Sequence, residues 1–203
     1  MLKSIRWLTL ALVLVAAACD ARQPDETPTD GRAASAVSDS AIMLRGSQIA
    51  TAVAQGLAGR LQAKLEQEGP AGAVDFCSRT ALALTDSLTA AYPGTTVKRT
   101  SLKIRNPKNA PDSFEQTALA FFDSVRTAGG TLPQAYVQTV SNDEVRFYRP
   151  LMVMPFCTKC HGTTEALGPG VQAILQERYP EDQAIGYQAG DWRGVIRVSM
   201  PRR

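Results

Sequence analysis

Apolar residues recur along this chain first at helical spacing and later at alternating spacing. Ile42, Ile49, Val53, Leu57, Leu61 and Leu65 stand seven and four apart, which places them on one face of an amphipathic helix. Gly69-Pro70 ends that stripe, because proline has no amide hydrogen and crowds the turn before it. Val74, Cys77, Ala81, Leu84 and Leu88 then recur at three and four, predicting a second helix with Cys77 on its apolar side, closed by Tyr92-Pro93-Gly94. Between Val97 and Arg105 the period falls to two. Thr100, Leu102 and Ile104 share one face and Arg99, Ser101, Lys103 and Arg105 the other, a half-buried strand with a basic side.

Asn106-Pro107-Lys108-Asn109-Ala110-Pro111 is expected to be irregular. Asp112, with Glu115 three residues on, reads as a capping box opening a third helix, lined by Phe114, Leu119, Phe122 and Val125 as far as Gly129-Gly130. Strand-like runs follow at Ala135 to Val140 and Val145 to Met154, joined by the polar turn Ser141-Asn142-Asp143-Glu144. A short helix around Val171 to Tyr179 and a strand from Val195 to Met200 complete the pattern. Helices first and hairpin-joined strands later predict an α+β domain around an antiparallel sheet.

The N-terminal pattern is of another kind. Lys3 and Arg6 precede an uncharged run from Trp7 to Ala18, long enough for a signal peptide and too short to cross a ~30 Å hydrocarbon core comfortably. Ala16-Ala17-Ala18-Cys19 resembles a bacterial lipobox, which implies cleavage before Cys19 and acylation of that cysteine. Residues 19–40 hold only Val37 as a sizeable apolar side chain and are expected to be a disordered tether. The expected organisation is therefore a signal peptide over 1–18, a lipidated tether over 19–40 and a folded domain over 41–203. The lipid would hold the domain at the periplasmic side of a bacterial membrane, and Asp20 after the cysteine favours the inner one.

Composition adds exclusions. The chain of 203 residues has room for one domain with appendages, and 44% hydrophobic with 20% charged residues is an ordinary globular balance. Lys and Arg number 22 against 19 Asp and Glu, so no nucleic-acid partner is expected. The decisive count is one histidine, His161, which excludes any site that needs two imidazoles.

That histidine closes Cys157-Thr158-Lys159-Cys160-His161, the CxxCH signature of covalent c-type haem attachment. Two thiols add to the haem vinyl groups and the adjacent imidazole ligates iron. Export supports this, since it delivers the chain to the compartment where such haem is attached. The alternative is a haem-free module: a zinc site using Cys157, Cys160, His161 and Cys77, or a dithiol redox pair of Cys157 and Cys160. Adjacent residues such as Cys160 and His161 seldom chelate one ion, and a dithiol leaves His161 without a role. For the sixth iron position the sequence leaves Cys77, Met43, Met152, Met154, Met200, a lysine, water or an open site. With no second histidine to serve as a distal acid or base, an enzyme is not expected.

Phe76-Cys77-Ser78, the block from Arg99 to Asp112, Cys157 to Gly162, Tyr179 to Tyr187 and Gly190-Asp191-Trp192-Arg193-Gly194 together resemble one family. It is the family of exported c-type haem proteins with a PAS-like domain and His/Cys haem ligation, also found as the extracytoplasmic sensor domain of kinases. The resemblance runs from Ile42 to Met200. It implies a PAS-like antiparallel sheet with flanking helices behind a long N-terminal helix, one haem c, His161 as proximal and Cys77 as opposite axial ligand. Arg99 and Arg105 fall in its recurrent block as candidate partners of the haem propionates. The function so implied is electron transfer or redox and gas sensing, with a diatomic gas as a ligand and a redox or signalling protein as partner. No kinase segment follows in this sequence, so the expectation is a module that works through a separate partner.

Overall fold

The computed structural model describes residues 38–202, so the expected signal peptide, Cys19 and most of the tether lie outside the described residues. Helix α1, Asp39–Thr89, starts two residues inside the stretch read as tether, because Ser38 caps it by accepting the Ala41 amide at 3.3 Å. Both predicted helices lie within α1. They are separated at Gly69, whose φ of 71° and ψ of −176° are not helical and suit a residue without a Cβ placed before proline. A Cβ at Gly56 would meet the Leu88 methyls at 2.9 Å, so the limb after the break packs back on the limb before it.

Four strands form one antiparallel sheet: β1 (Thr96–Thr100), β2 (Tyr136–Thr139), β3 (Glu144–Met152) and β4 (Trp192–Pro201), in the order β1-β4-β3-β2. Val97 stands opposite Val198, and Val198 opposite Phe147, so one face carries an apolar row across three strands. Ile42, Ile49 and Val53 of α1 cover that face over Val145, Phe147, Ile196 and Val198. Gly46 makes the approach close, because a Cβ there would run into the Phe147 ring. Helix α2 (Ser113–Thr127) covers the other face, with Ala118, Leu119 and Phe122 on Tyr148 and Val195. The alternation along β4, Val195 to one side and Ile196 to the other, is what lets a single strand serve two cores.

Several expectations are corrected. The basic strand ends at Thr100 and not at Arg105, because the chain bends there: Ser101 Oγ donates to the Lys103 carbonyl at 2.6 Å and Arg193 Nη1 donates to the same carbonyl at 3.0 Å. Leu102, placed on the buried face by periodicity, is therefore 49% exposed. Pro107–Asn109 forms a 3₁₀ turn where irregular chain was expected, capped by Asn106 Oδ1 accepting the Lys108 amide. Phe114 is not in the core but lies under the Arg146 guanidinium, 5.3 Å from its carbon.

The predicted capping box is present, and it does more than start α2. Asp112 Oδ1 accepts the Glu115 amide at 2.8 Å and Glu115 Oε2 accepts the Asp112 amide at 2.9 Å. The fully buried Glu115 carboxylate also accepts from Lys98 Nζ of β1 at 2.7 Å and Arg197 Nε of β4 at 3.1 Å. One carboxylate thus fastens a helix to two strands. Replacing Glu115 by Ala strands both cations at the α2–sheet contact, and removal of one partner from such a buried network costs about 3–5 kcal/mol. Urea denaturation of Glu115→Ala should show that loss as a lower midpoint with an unchanged slope.

Candidate functional site

β3 leaves the sheet at Met152 and runs through a 3₁₀ turn, Pro155–Cys157, into the single turn α3, Thr158–His161, so that CxxCH is wound rather than extended. Thr158 Oγ1 donates to the Pro155 carbonyl at 2.8 Å and the Gly162 amide closes the turn on the Thr158 carbonyl at 2.9 Å. Beside it lies the segment following α4 (Pro169–Arg178). There the Gly186 amide donates to the Gly162 carbonyl at 2.8 Å and the Tyr187 amide to the His161 carbonyl at 2.9 Å. The Gln183 amide donates to the Ile104 carbonyl at 2.9 Å, so the segment is clasped between the CxxCH turn and the end of the basic stretch.

These elements enclose a cavity of about 370 Å³, within the usual range for small-molecule sites. Leu57, Leu61 and Leu65 wall it from the first limb of α1, Val74, Cys77 and Leu84 from the second, and Leu151 and Ile196 from the sheet. The residues expected to attach, ligate or neutralise a haem all line it: Cys77, Arg99, Arg105, Cys157, Cys160 and His161. Met152 and Met154 line it too, whereas Met200 is packed in the α1 core and Met43 lines a separate groove. The leucine stripe of α1 is half-buried here because it faces a cavity instead of packed side chains.

His161 is held with a defined tautomer. Its Nδ1 lies 2.7 Å from the Ala184 carbonyl oxygen, which can only accept, so Nδ1 carries the hydrogen and Nε2 keeps the lone pair. Burial, reinforced by Arg105 and Arg193, lowers the imidazole pKa well below its ordinary value and keeps the ring neutral, the form a metal takes. The Tyr187 ring meets it edge-on at 6.3 Å and is itself flanked by Lys103 Nζ at 4.9 Å and the Arg193 guanidinium at 5.3 Å.

Burial also raises the three thiols: Cys77 against the pull of Arg99 and Arg105, Cys157 against local hydrogen bonds, and Cys160 up to about 11. None of the three is in a disulfide. The two arginines differ in what they hold. Arg105 is engaged through two of its nitrogens, with Nε donating to Asp182 Oδ2 at 3.0 Å and Nη2 to the Cys160 carbonyl at 2.7 Å and the Ala184 carbonyl at 3.2 Å. The Arg99 side chain, beside Cys77, makes no hydrogen bond or ion pair among the described residues, and burial lowers its pKa. It is a cation of this cavity with its guanidinium uncommitted. Asp182, Lys103 and Ala184 fell in the segments that carry the resemblance but had no role from sequence, because their contacts with Arg105, Tyr187 and His161 are long-range.

The donor chemistry fits haem: two thiols one helical turn apart, a neutral imidazole with its lone pair free, a third thiol on a facing helix, apolar walls and a spare guanidinium. Among the described residues no group of three or more His, Cys, Asp and Glu side chains is placed to hold a metal ion.

Comparison with curated proteins gives no match. Among solved structures, the crystal structure of the cyanobacterial haem protein Tll0287 aligns with 32% identity and a TM-score of 0.50, covering 63% of this chain and 72% of that one. The Tll0287-like family model matches residues 20–201, a span that includes the long helix, the sheet and every wall of the cavity. On that match, and on the α+β architecture it accompanies, the chain belongs to the Tll0287-like family.

Proposed function

We propose that this protein is a redox protein carrying one covalently attached c-type haem in the α1–sheet cavity, with Cys157 and Cys160 as attachment points and His161 and Cys77 as axial ligands. A haem cofactor is supported by the family and by its haem-protein relative. The single observation that carries the residue assignment is convergence. Cys77, 80 residues from Cys157 in the sequence, lines the same cavity as the whole CxxCH motif. Bound haem supplies one-electron chemistry at its iron and the positive charge that a buried thiolate requires.

The chain's own residues divide the remaining tasks. The Ala184 carbonyl fixes the His161 ring, the leucines of α1 exclude water, and Arg99 offers a planar guanidinium to a propionate. An anionic sulfur ligand favours the ferric state, so electron transfer at low potential is the activity that fits best. A second reading, a redox or diatomic-gas sensor, draws on one observation: Cys77 rides on the limb after Gly69, where helical geometry is interrupted, so events at Cys77 act on a limb with a built-in hinge. The proposal also places the domain at the periplasmic face of the inner membrane, tethered through acylated Cys19, with a redox or signalling protein as partner.

Three measurements follow. Acidic organic solvent should leave haem on the denatured wild-type chain, and should extract it from the Cys157→Ala, Cys160→Ala double variant; free haem from wild type would end the covalent assignment. Cys77→Ser should lose the ferric low-spin spectrum and raise the midpoint potential, while an unchanged spectrum would hand the sixth position to Met152 or Met154. Full-length protein should partition into detergent and Cys19→Ala should not, whereas a water-soluble wild type would remove the anchor.

A further inference from the structure

One carbonyl oxygen in the cavity wall receives two donors. Ala184 O accepts from His161 Nδ1 at 2.7 Å and from Arg105 Nη2 at 3.2 Å. The Arg105 side chain is held by Asp182, with Nη2 2.9 Å from Oδ2, and both side chains are nearly buried, at 13% and 8% exposure. Asp182 Oδ1 in turn accepts the Ala184 amide at 2.8 Å, so the carboxylate, the guanidinium and the residue bearing the shared carbonyl form one closed loop. Arg105 Nη2 also donates to the carbonyl of Cys160, the residue before His161.

We infer that Arg105 is a positioning residue that sets the electron-donating strength of His161 through the Ala184 carbonyl. The inference rests on the proposed haem site, since donor strength has a consequence only for a metal bound at Nε2. The physical reason lies in the sharing. The stronger the acceptor at Nδ1–H, the more negative charge the imidazole carries and the better Nε2 donates. A guanidinium bonded to the same oxygen draws density away from it and weakens its hold on the His161 hydrogen. In a buried site such polarisation is poorly screened. Asp182 moderates the effect by partly neutralising the guanidinium, so the two side chains act on His161 with opposite sign.

The test uses the full-length haem-loaded protein with two readouts, the midpoint potential and the His161 Nδ1–H proton resonance in the diamagnetic ferrous carbon monoxide form. Arg105→Met should strengthen the His161 bond to Ala184, move that proton downfield and increase the preference for ferric over ferrous about tenfold, or about 59 mV for one electron. Asp182→Asn should move both readouts the other way. Simple loosening of the loop would move the two variants in the same direction, and through-space charge alone would shift the midpoints while leaving the Nδ1–H resonance in place; either result would overturn the inference. Where Arg105→Met fails to load haem, Arg105→Lys keeps the charge beside Asp182 but withdraws it from Ala184, and should follow the same direction at Nδ1–H. A wild type that binds no haem would instead end the proposed function.

Discussion

The hydrogen bond from His161 Nδ1 to the Ala184 carbonyl is the contact on which the chemistry of the cavity depends, and most of the surrounding structure works to keep that carbonyl in place. Ala184 is buried, its amide is bonded to Asp182, and the residues on either side of it are tied by backbone bonds to Ile104, His161 and Gly162. The bond decides the tautomer, and the tautomer decides which nitrogen faces the cavity with a lone pair. A histidine without such a partner could present either nitrogen. The segment 182–187 carries no regular structure of its own, yet it is clasped on both sides, so its geometry comes from contacts far away in sequence.

Charge inside this protein is handled in two contrasting ways. On the α2 face, Glu115 is fully buried and satisfied by Lys98, Arg197 and the helix cap, a closed network that serves folding. On the α1 face the charges are deliberately less balanced: Arg105 is matched by Asp182, but Arg99 has no carboxylate partner among the described residues. A half-buried cation without a carboxylate partner is costly to the folded state. In the proposed function that cost is offset when an anionic group of the cofactor enters, so stability of the domain and occupation of the cavity are linked.

The same division separates the two halves of α1. Its first limb packs Ile42, Ile49 and Val53 against the sheet and then, with Leu57, Leu61 and Leu65, becomes cavity wall. The chain turns back at Gly69-Pro70, and this places Cys77 across from the CxxCH turn. One glycine with positive φ is thus the local reason that a thiol distant in sequence belongs to the site.

By itself the sequence determined the local features. Helix break, capping box and the β2–β3 hairpin follow from short-range rules of period, proline geometry and side-chain reach, and each lies where those rules put it. Cys77, Arg99, Arg105, Cys157, Cys160 and His161 were all named from residue type, motif and family resemblance, and they share one cavity. Only the tertiary structure decided which apolar stripe is packed and which lines open space, because the period of Leu57, Leu61 and Leu65 is the same in either case. It alone cut β1 short at Thr100, since the bend is held by Arg193 from the other end of the chain. It alone gave Arg105 to Asp182 and left Arg99 free, since two arginines six residues apart look alike until their partners, 77 residues away for Arg105, are brought beside them.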